Sequence, residues 1–134
     1  MGKSIPVIFG PCPAMTQALE DYLKTVSILA AENGGEARLT DIASRLGVSK
    51  PSAFMAVKAL EGQGLVEHRR YRTVTLTKAG HTAAAEIWGR YALILTFLRS
   101  VVGISAVTAE KDACLLEHRL SAETLGRIRA LVPE

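Results

Sequence analysis

The sequence predicts a mainly α protein: a winged helix-turn-helix domain followed by a second, wholly helical domain. Three observations carry this expectation. Two short amphipathic helical segments flank Gly47, with Pro51 placed at the start of the second. Two short Val- and Thr-rich runs then bracket the basic turn Arg69-Arg70-Tyr71-Arg72, as a hairpin would. Beyond Lys78 the apolar positions recur only at helical spacing.

The elements follow in order. Residues 1–15 read as an N-terminal arm, with one Lys and an apolar run, Ile5 to Phe9, broken by Pro6, which is too weak for a signal peptide. A first helix is predicted from Thr16 to Glu32, because Met15, Leu19, Tyr22, Val26 and Leu29 recur at steps of three and four. Asn33-Gly34-Gly35 ends it. A second helix should start near Thr40, whose hydroxyl can cap it, bury Ile42, Ala43 and Leu46, and stop at Gly47. The third, from Lys50 to about Glu61, carries Phe54, Val57 and Leu60 as its apolar stripe. Strands are expected at Leu65–His68 and Thr73–Leu76. A long helix should then span Lys78 to Val102 with Ala84, Ile87, Trp88, Tyr91, Leu95, Leu98 and Val102 buried, before Gly103 breaks it. Two further helices are predicted from Thr108 to Leu120 and from Ser121 to Leu131. The domain boundaries drawn from this pattern are 16–80 for the winged helix and 81–134 for the helical domain.

Composition narrows the function. The 134 residues have a net charge of +3, but the charge is unevenly spread. From Arg38 to Lys78 there are eight Lys or Arg against three acids, and the rest of the chain holds eight against ten. A basic half joined to a slightly acidic half suits contact with an anionic polymer through the first half only. Two cysteines, Cys12 and Cys114, are too few for a disulfide framework, which points to a reduced, cytoplasmic setting. No stretch approaches the roughly 20 apolar residues of a membrane span. Nothing in the sequence offers a nucleophile–base pair, a phosphate loop or a closed zinc motif, so an enzyme is not expected.

The helix-turn-helix supplies a candidate DNA surface. Its second helix would enter the major groove by its N-terminal end, presenting Ser49, Lys50, Pro51 and Ser52 to base edges and phosphates. Arg69, Arg70 and Arg72 at the hairpin tip suit minor-groove or phosphate contact. Thr40 and Lys58 complete the expected DNA-binding set. No base-specific residue stands out, because Phe54 and Met55 are poor hydrogen-bonders. His68 and His81 read as surface residues of the wing and of a helix start.

In the second half, Cys114, Glu117 and His118 stand at i, i+3 and i+4, so that thiolate, carboxylate and imidazole can share one helix face and one cation. A fourth ligand would have to come from elsewhere. By themselves such triplets also arise by chance in amphipathic helices.

Taken together, these segments resemble the diphtheria-toxin-repressor family of metal-dependent regulators. The resemblance is carried by Glu20-Asp21-Tyr22-Leu23, by Asp41-Ile42-Ala43-Ser44-Arg45-Leu46 and by Val48-Ser49-Lys50-Pro51-Ser52. It continues through Leu65-Val66, Leu76-Thr77-Lys78-Ala79-Gly80, Phe97-Leu98, Gly103-Ile104 and the run from Ala113 to Ser121. It implies a homodimer whose second domain dimerises, a palindromic DNA operator, and a divalent metal held by Asp21, Cys114, Glu117 and His118. It further implies that occupancy ties the first helix to the fifth and favours the DNA-ready state. Oxygen and nitrogen donors suit Mn2+, whereas a thiolate pulls toward Fe2+, and Fe2+ is preferred here. Tyr91 and Leu95 stand where the family's second ion has a His and a Glu, and Lys24 stands at a helix-one Glu, so one ion is expected. Lys24, one turn from Asp21, is a candidate stand-in for the missing second cation. The chain would represent the short form, without an SH3-like domain. The alternative is a metal-independent or thiol-responsive winged-helix regulator, in which Cys12 and Cys114 could take part.

Overall fold

The computed structural model describes residues 16–70 and 73–133. The expected N-terminal arm 1–15 with Cys12, and Arg72 of the wing, lie outside these residues. The chain divides into two units at Ala85/Glu86, a boundary that falls inside one long helix.

In the first unit, α1 spans Gln17–Glu32, and Thr16, expected as its first residue, caps it instead, the Thr16 Oγ1 accepting from the Leu19 N–H at 3.2 Å. Its buried residues include Leu23, Val26, Leu29 and Ala30, while Leu19 and Tyr22 are only half-buried. A two-residue strand, β1 (Ala37–Arg38), leads directly into α2 (Leu39–Leu46). The expected Thr40 cap does not form. The cap position is Arg38, which makes no side-chain capping bond, and Thr40 lies exposed within the first turn. Pairing of Ala37 and Arg38 in the sheet fixes the chain up to Leu39, so the helix begins two residues sooner than a Thr40 cap would place it. Gly47 ends α2 in the left-handed region, φ 67°, with its N–H on the Ser44 carbonyl and the Val48 N–H on that of Ala43.

Ser49 caps α3 (Lys50–Gly62), accepting from the Ser52 N–H at 3.2 Å, and Pro51 occupies the first turn. Ala53, Val57 and Leu60 face inward; Phe54, expected in that stripe, is 39% exposed, because Ala53 rather than Phe54 shares the helix face of Val57 and Leu60. Strands β2 (Val66–Arg69) and β3 (Thr73–Leu76) pair antiparallel with Val66 opposite Leu76 and Arg69 opposite Thr73. β1 joins the far side of β3, Ala37 opposite Val74, giving the order β1-β3-β2. Val66 and Val74 are buried while Glu67 and Arg69 point out, the alternation of a sheet with one wet face. They complete a core with Leu23, Val26, Ala37, Ile42, Ala53, Val57 and Leu60.

α4 (Lys78–Thr96) is anchored to the wing through Thr77. The Thr77 hydroxyl accepts from the Gly80 N–H at 3.0 Å and donates to the Gly64 carbonyl at 2.6 Å. Gly80 is there for room: a Cβ would strike the Leu65 carbonyl oxygen.

In the second unit α4 continues as a π-helical segment, Phe97–Val102, closed at Gly103 in the left-handed region. The Gly103 and Ile104 N–H groups both reach the Leu98 carbonyl at 2.9 Å. The wider turn carries Val102 off the apolar stripe, and it is 52% exposed instead of buried. Ile87, Ile94 and Leu98 form the buried line, with Trp88, Tyr91 and Leu95 half-buried. α5 runs Ala106–Leu116, four residues short of the predicted Leu120 end, because the chain must turn before Ser121 caps α6 (Ala122–Leu131). Ile94, Leu98, Ala109, Ala113 and Leu125 make this unit's core. Among the described residues no helix is long and apolar enough to cross a membrane.

Candidate nucleic-acid interface and metal-ligating residues

The DNA-facing candidates in the first unit converge on the start of α3 and on the wing. Ser49, Lys50, Pro51 and Ser52 are all exposed, and the Ser49 hydroxyl donates to that of Ser52 at 2.9 Å. Lys58, on the next turns of α3, holds its Nζ 5.8 Å from the centroid of the Phe54 ring. That ring meets His68 edge to face at 5.7 Å, which ties α3 to β2. The His68 backbone N–H donates to Glu61 at 3.4 Å, a second tie between the same elements. A recess of about 280 Å³ lies here, lined by Leu39, Lys50, Pro51, Phe54 and His68.

On the wing, Arg70 is exposed, and the Thr73 hydroxyl donates to its carbonyl at 3.0 Å. Arg69 is engaged within the sheet: its Nη2 pairs with Glu67 at 2.9 Å and its Nε donates to Thr75 at 3.4 Å. Both partners of the pair are more than half exposed, so it contributes about 0–1 kcal/mol and yields readily to a phosphate. Of the expected wing cations, Arg69 ends β2 and Arg70 follows it; sequence reasoning could not see the Glu67 neighbour, because cross-strand and i+2 contacts depend on register.

The metal-ligating residue types lie at the end of α5 and on α1. The Glu117 N–H still bonds the Ala113 carbonyl, which keeps Glu117 on the helical spiral one turn after Cys114. His118 follows in the turn. The two side chains are almost wholly buried, with His118 Nε2 3.2 Å from Glu117 Oε2. Beneath them Arg90, 5% exposed on α4, donates its Nε to the Glu117 carbonyl at 2.9 Å. Cys114 is exposed on α5. Asp21, half-buried on α1, belongs to the first unit, where its carbonyl accepts from the Thr25 hydroxyl at 2.9 Å. A carboxylate oxygen and an imidazole nitrogen this close and this dry are a donor pair suited to a first-row divalent cation. Arg90 had escaped sequence reasoning, since its position on an apolar face reads as an interruption of the stripe.

Comparison with known proteins agrees with both halves. Residues 14–74 match the model of the iron dependent repressor N-terminal DNA binding domain, and residues 77–133 that of the iron dependent repressor metal binding and dimerisation domain. The transcriptional regulator MntR of Escherichia coli O157:H7 is 40% identical over 113 residues, covering 84% of this chain and 72% of that protein. The HTH-type transcriptional regulator MntR of Lysinibacillus sphaericus is 33% identical over 117 residues, 87% of this chain and 83% of its own. Among solved structures, a manganese-dependent transcriptional repressor in complex with manganese superposes with a TM-score of 0.73 at 33% identity over 84% of this chain. IdeR of T. acidophilum does so at 0.73 and 25%, again over 84%. The chain spans about half the length of these two solved relatives, 51% and 52%. With both family models matched in order along almost the whole chain, it belongs to the iron-dependent repressor family of transcriptional regulators, the one named for the diphtheria-toxin repressor.

Proposed function

We propose that this chain is a metal-responsive, DNA-binding transcriptional repressor of metal homeostasis genes. The observation that carries the reading is the buried Glu117–His118 pair, on the same chain as a basic winged helix. Asp21, Cys114, Glu117 and His118 are the proposed ligands, with residues 16–80 as the DNA-binding domain and 81–134 as the dimerisation and metal-binding domain. The bound cation supplies Lewis-acid attraction for anionic and imidazole donors. Glu117 would contribute a carboxylate oxygen and His118 an imidazole nitrogen, while Arg90 holds the backbone from which both project.

Drawing ligands from α1 and from the end of α5 makes metal affinity and DNA affinity reciprocal, as linkage requires when one conformation favours both ligands. The protein acts as a homodimer on a palindromic operator in the cytoplasm, the wing and α3 of each copy serving one half-site. A thiolate in the ligand set favours Fe2+ over Mn2+. Tyr91, Leu95 and Lys24 replace the His and Glu donors of a second ion, so the reading is one ion per chain.

Calorimetric titration with Fe2+ under anaerobic conditions, Mn2+ and Zn2+ tests the site. One ion bound per chain, lost in Glu117→Ala, is the expected result. Equal heats from the native protein and the variant would exclude these ligands. The competing thiol-responsive reading rests on the exposure of Cys114; it would require DNA binding to follow oxidant rather than metal.

A further inference from the structure

The face of α3 that a helix-turn-helix turns toward the major groove has an apolar centre. Successive residues advance about 100° around a helix, so Met55 lies roughly 200° from Ala53 and about as far from Val57, squarely opposite the core. Met55 is 64% exposed, the most exposed large apolar side chain among the described residues of this unit, and Phe54 beside it is 39% exposed. From Lys50 to Gly62 the helix contains no Arg, Asn or Gln to read guanine or adenine by paired hydrogen bonds, and its two lysines, Lys50 and Lys58, lie at its start and beside Phe54. Lys58 rests over the Phe54 ring, and Ser49 and Ser52 are occupied in capping the helix. Cations lie beside Phe54 and along the wing: Lys58 rests over the Phe54 ring, Lys50 lines a recess with Phe54 and His68, and Arg69 and Arg70 line a second with His68. A surface that is basic at its rim and apolar at its middle complements a DNA groove whose walls are phosphate and whose floor carries methyl groups.

We propose that Met55 is a specificity-determining residue that reads thymine, its thioether side chain seated against the C5-methyl group in the major groove. The thymine methyl is the one apolar group that base pairs display there, and methionine's flexible, polarizable chain adapts to it without needing a fixed hydrogen-bond geometry. This rests on the DNA-binding function proposed above and adds the chemical feature that is read.

The test begins with the full-length protein and Mn2+, selecting duplexes from a randomised DNA library. Each thymine of the enriched sequence is then replaced in turn by deoxyuridine, which removes only the methyl. One position should weaken binding about fourfold, the worth of burying one methyl group. Met55→Ala, whose thermal melting should match the native protein because the side chain is exposed, should bind the thymine and deoxyuridine duplexes equally. An enriched sequence bound equally with and without every methyl overturns this inference and leaves the repressor function standing. A methyl effect that survives in Met55→Ala also overturns it, since another residue would then be the reader. Failure to enrich any sequence is a different signature, and overturns sequence-specific DNA binding together with this inference.

Discussion

Arg90 and Glu117 are joined through the backbone: a guanidinium on α4, buried to 5% exposure, donates to the carbonyl of Glu117 at 2.9 Å. The bond satisfies a carbonyl near the end of α5, where helices leave their last acceptors unpaired. It also fixes the chain at the point from which the Glu117 carboxylate and the His118 imidazole emerge. Arg90→Met should therefore lower stability by about 2 kcal/mol, the range for losing a hydrogen bond to a charged group. Metal affinity should fall with it, while Arg90→Lys retains part of both. Urea unfolding and metal titration on the two variants check this; unchanged metal affinity in Arg90→Met would limit the arginine to a packing role.

Gly80 and Gly89 both lie on α4 and should respond in opposite directions. A methyl at Gly80 would strike the Leu65 carbonyl, so Gly80→Ala must push the wing from the helix and should destabilise by more than about 1–3 kcal/mol. Around Gly89 there is open space, and Gly89→Ala should stabilise by about 0.5–1 kcal/mol through helix propensity alone. Thermal melts of the pair decide it, and a neutral Gly80→Ala would contradict the packing described at Leu65.

The wing cations should behave as phosphate contacts. Arg70→Ala should weaken cognate and random duplexes by the same factor and reduce the slope of log K against log salt by about 0.9. Fluorescence anisotropy over a salt series measures both. A loss confined to one sequence would instead make Arg70 a base reader.

The cap of α3 gives a stability check independent of DNA. Ser49→Ala removes the acceptor for the Ser52 N–H and should cost about 1 kcal/mol. Ser49→Asp, which keeps an acceptor at the cap, should restore most of that in a melting experiment.

Much of this was legible in the sequence, and the reason is local chemistry. The helix starts expected near Thr16, Lys50 and Ser121 were legible to within a residue, because a hydroxyl at a cap acts within three residues and Thr16, Ser49 and Ser121 each cap the helix that follows. Gly47 announced the turn because its backbone needs the left-handed region. Thr40 misled because its hydroxyl competed with a strand pairing formed by residues far along the chain, Val74 and Thr73. β1 has two residues, too few to show any alternation. The π-helical turn at Phe97–Val102 and the early end of α5 arise from packing around Leu98 and Leu125, which periodicity does not record. For the site, residue types and spacing singled out Glu117 and His118, but their burial and the Arg90 support beneath them are tertiary facts.

Control of DNA binding by metal is tested most directly by measuring affinity for a selected duplex with Mn2+ or Fe2+ present and again after chelation. The native protein should bind at least about tenfold more tightly with metal, a coupling of about 1.4 kcal/mol, and Glu117→Gln should bind weakly in both conditions. Equal affinity with and without metal, or a metal response that survives in Glu117→Gln, would contradict the account.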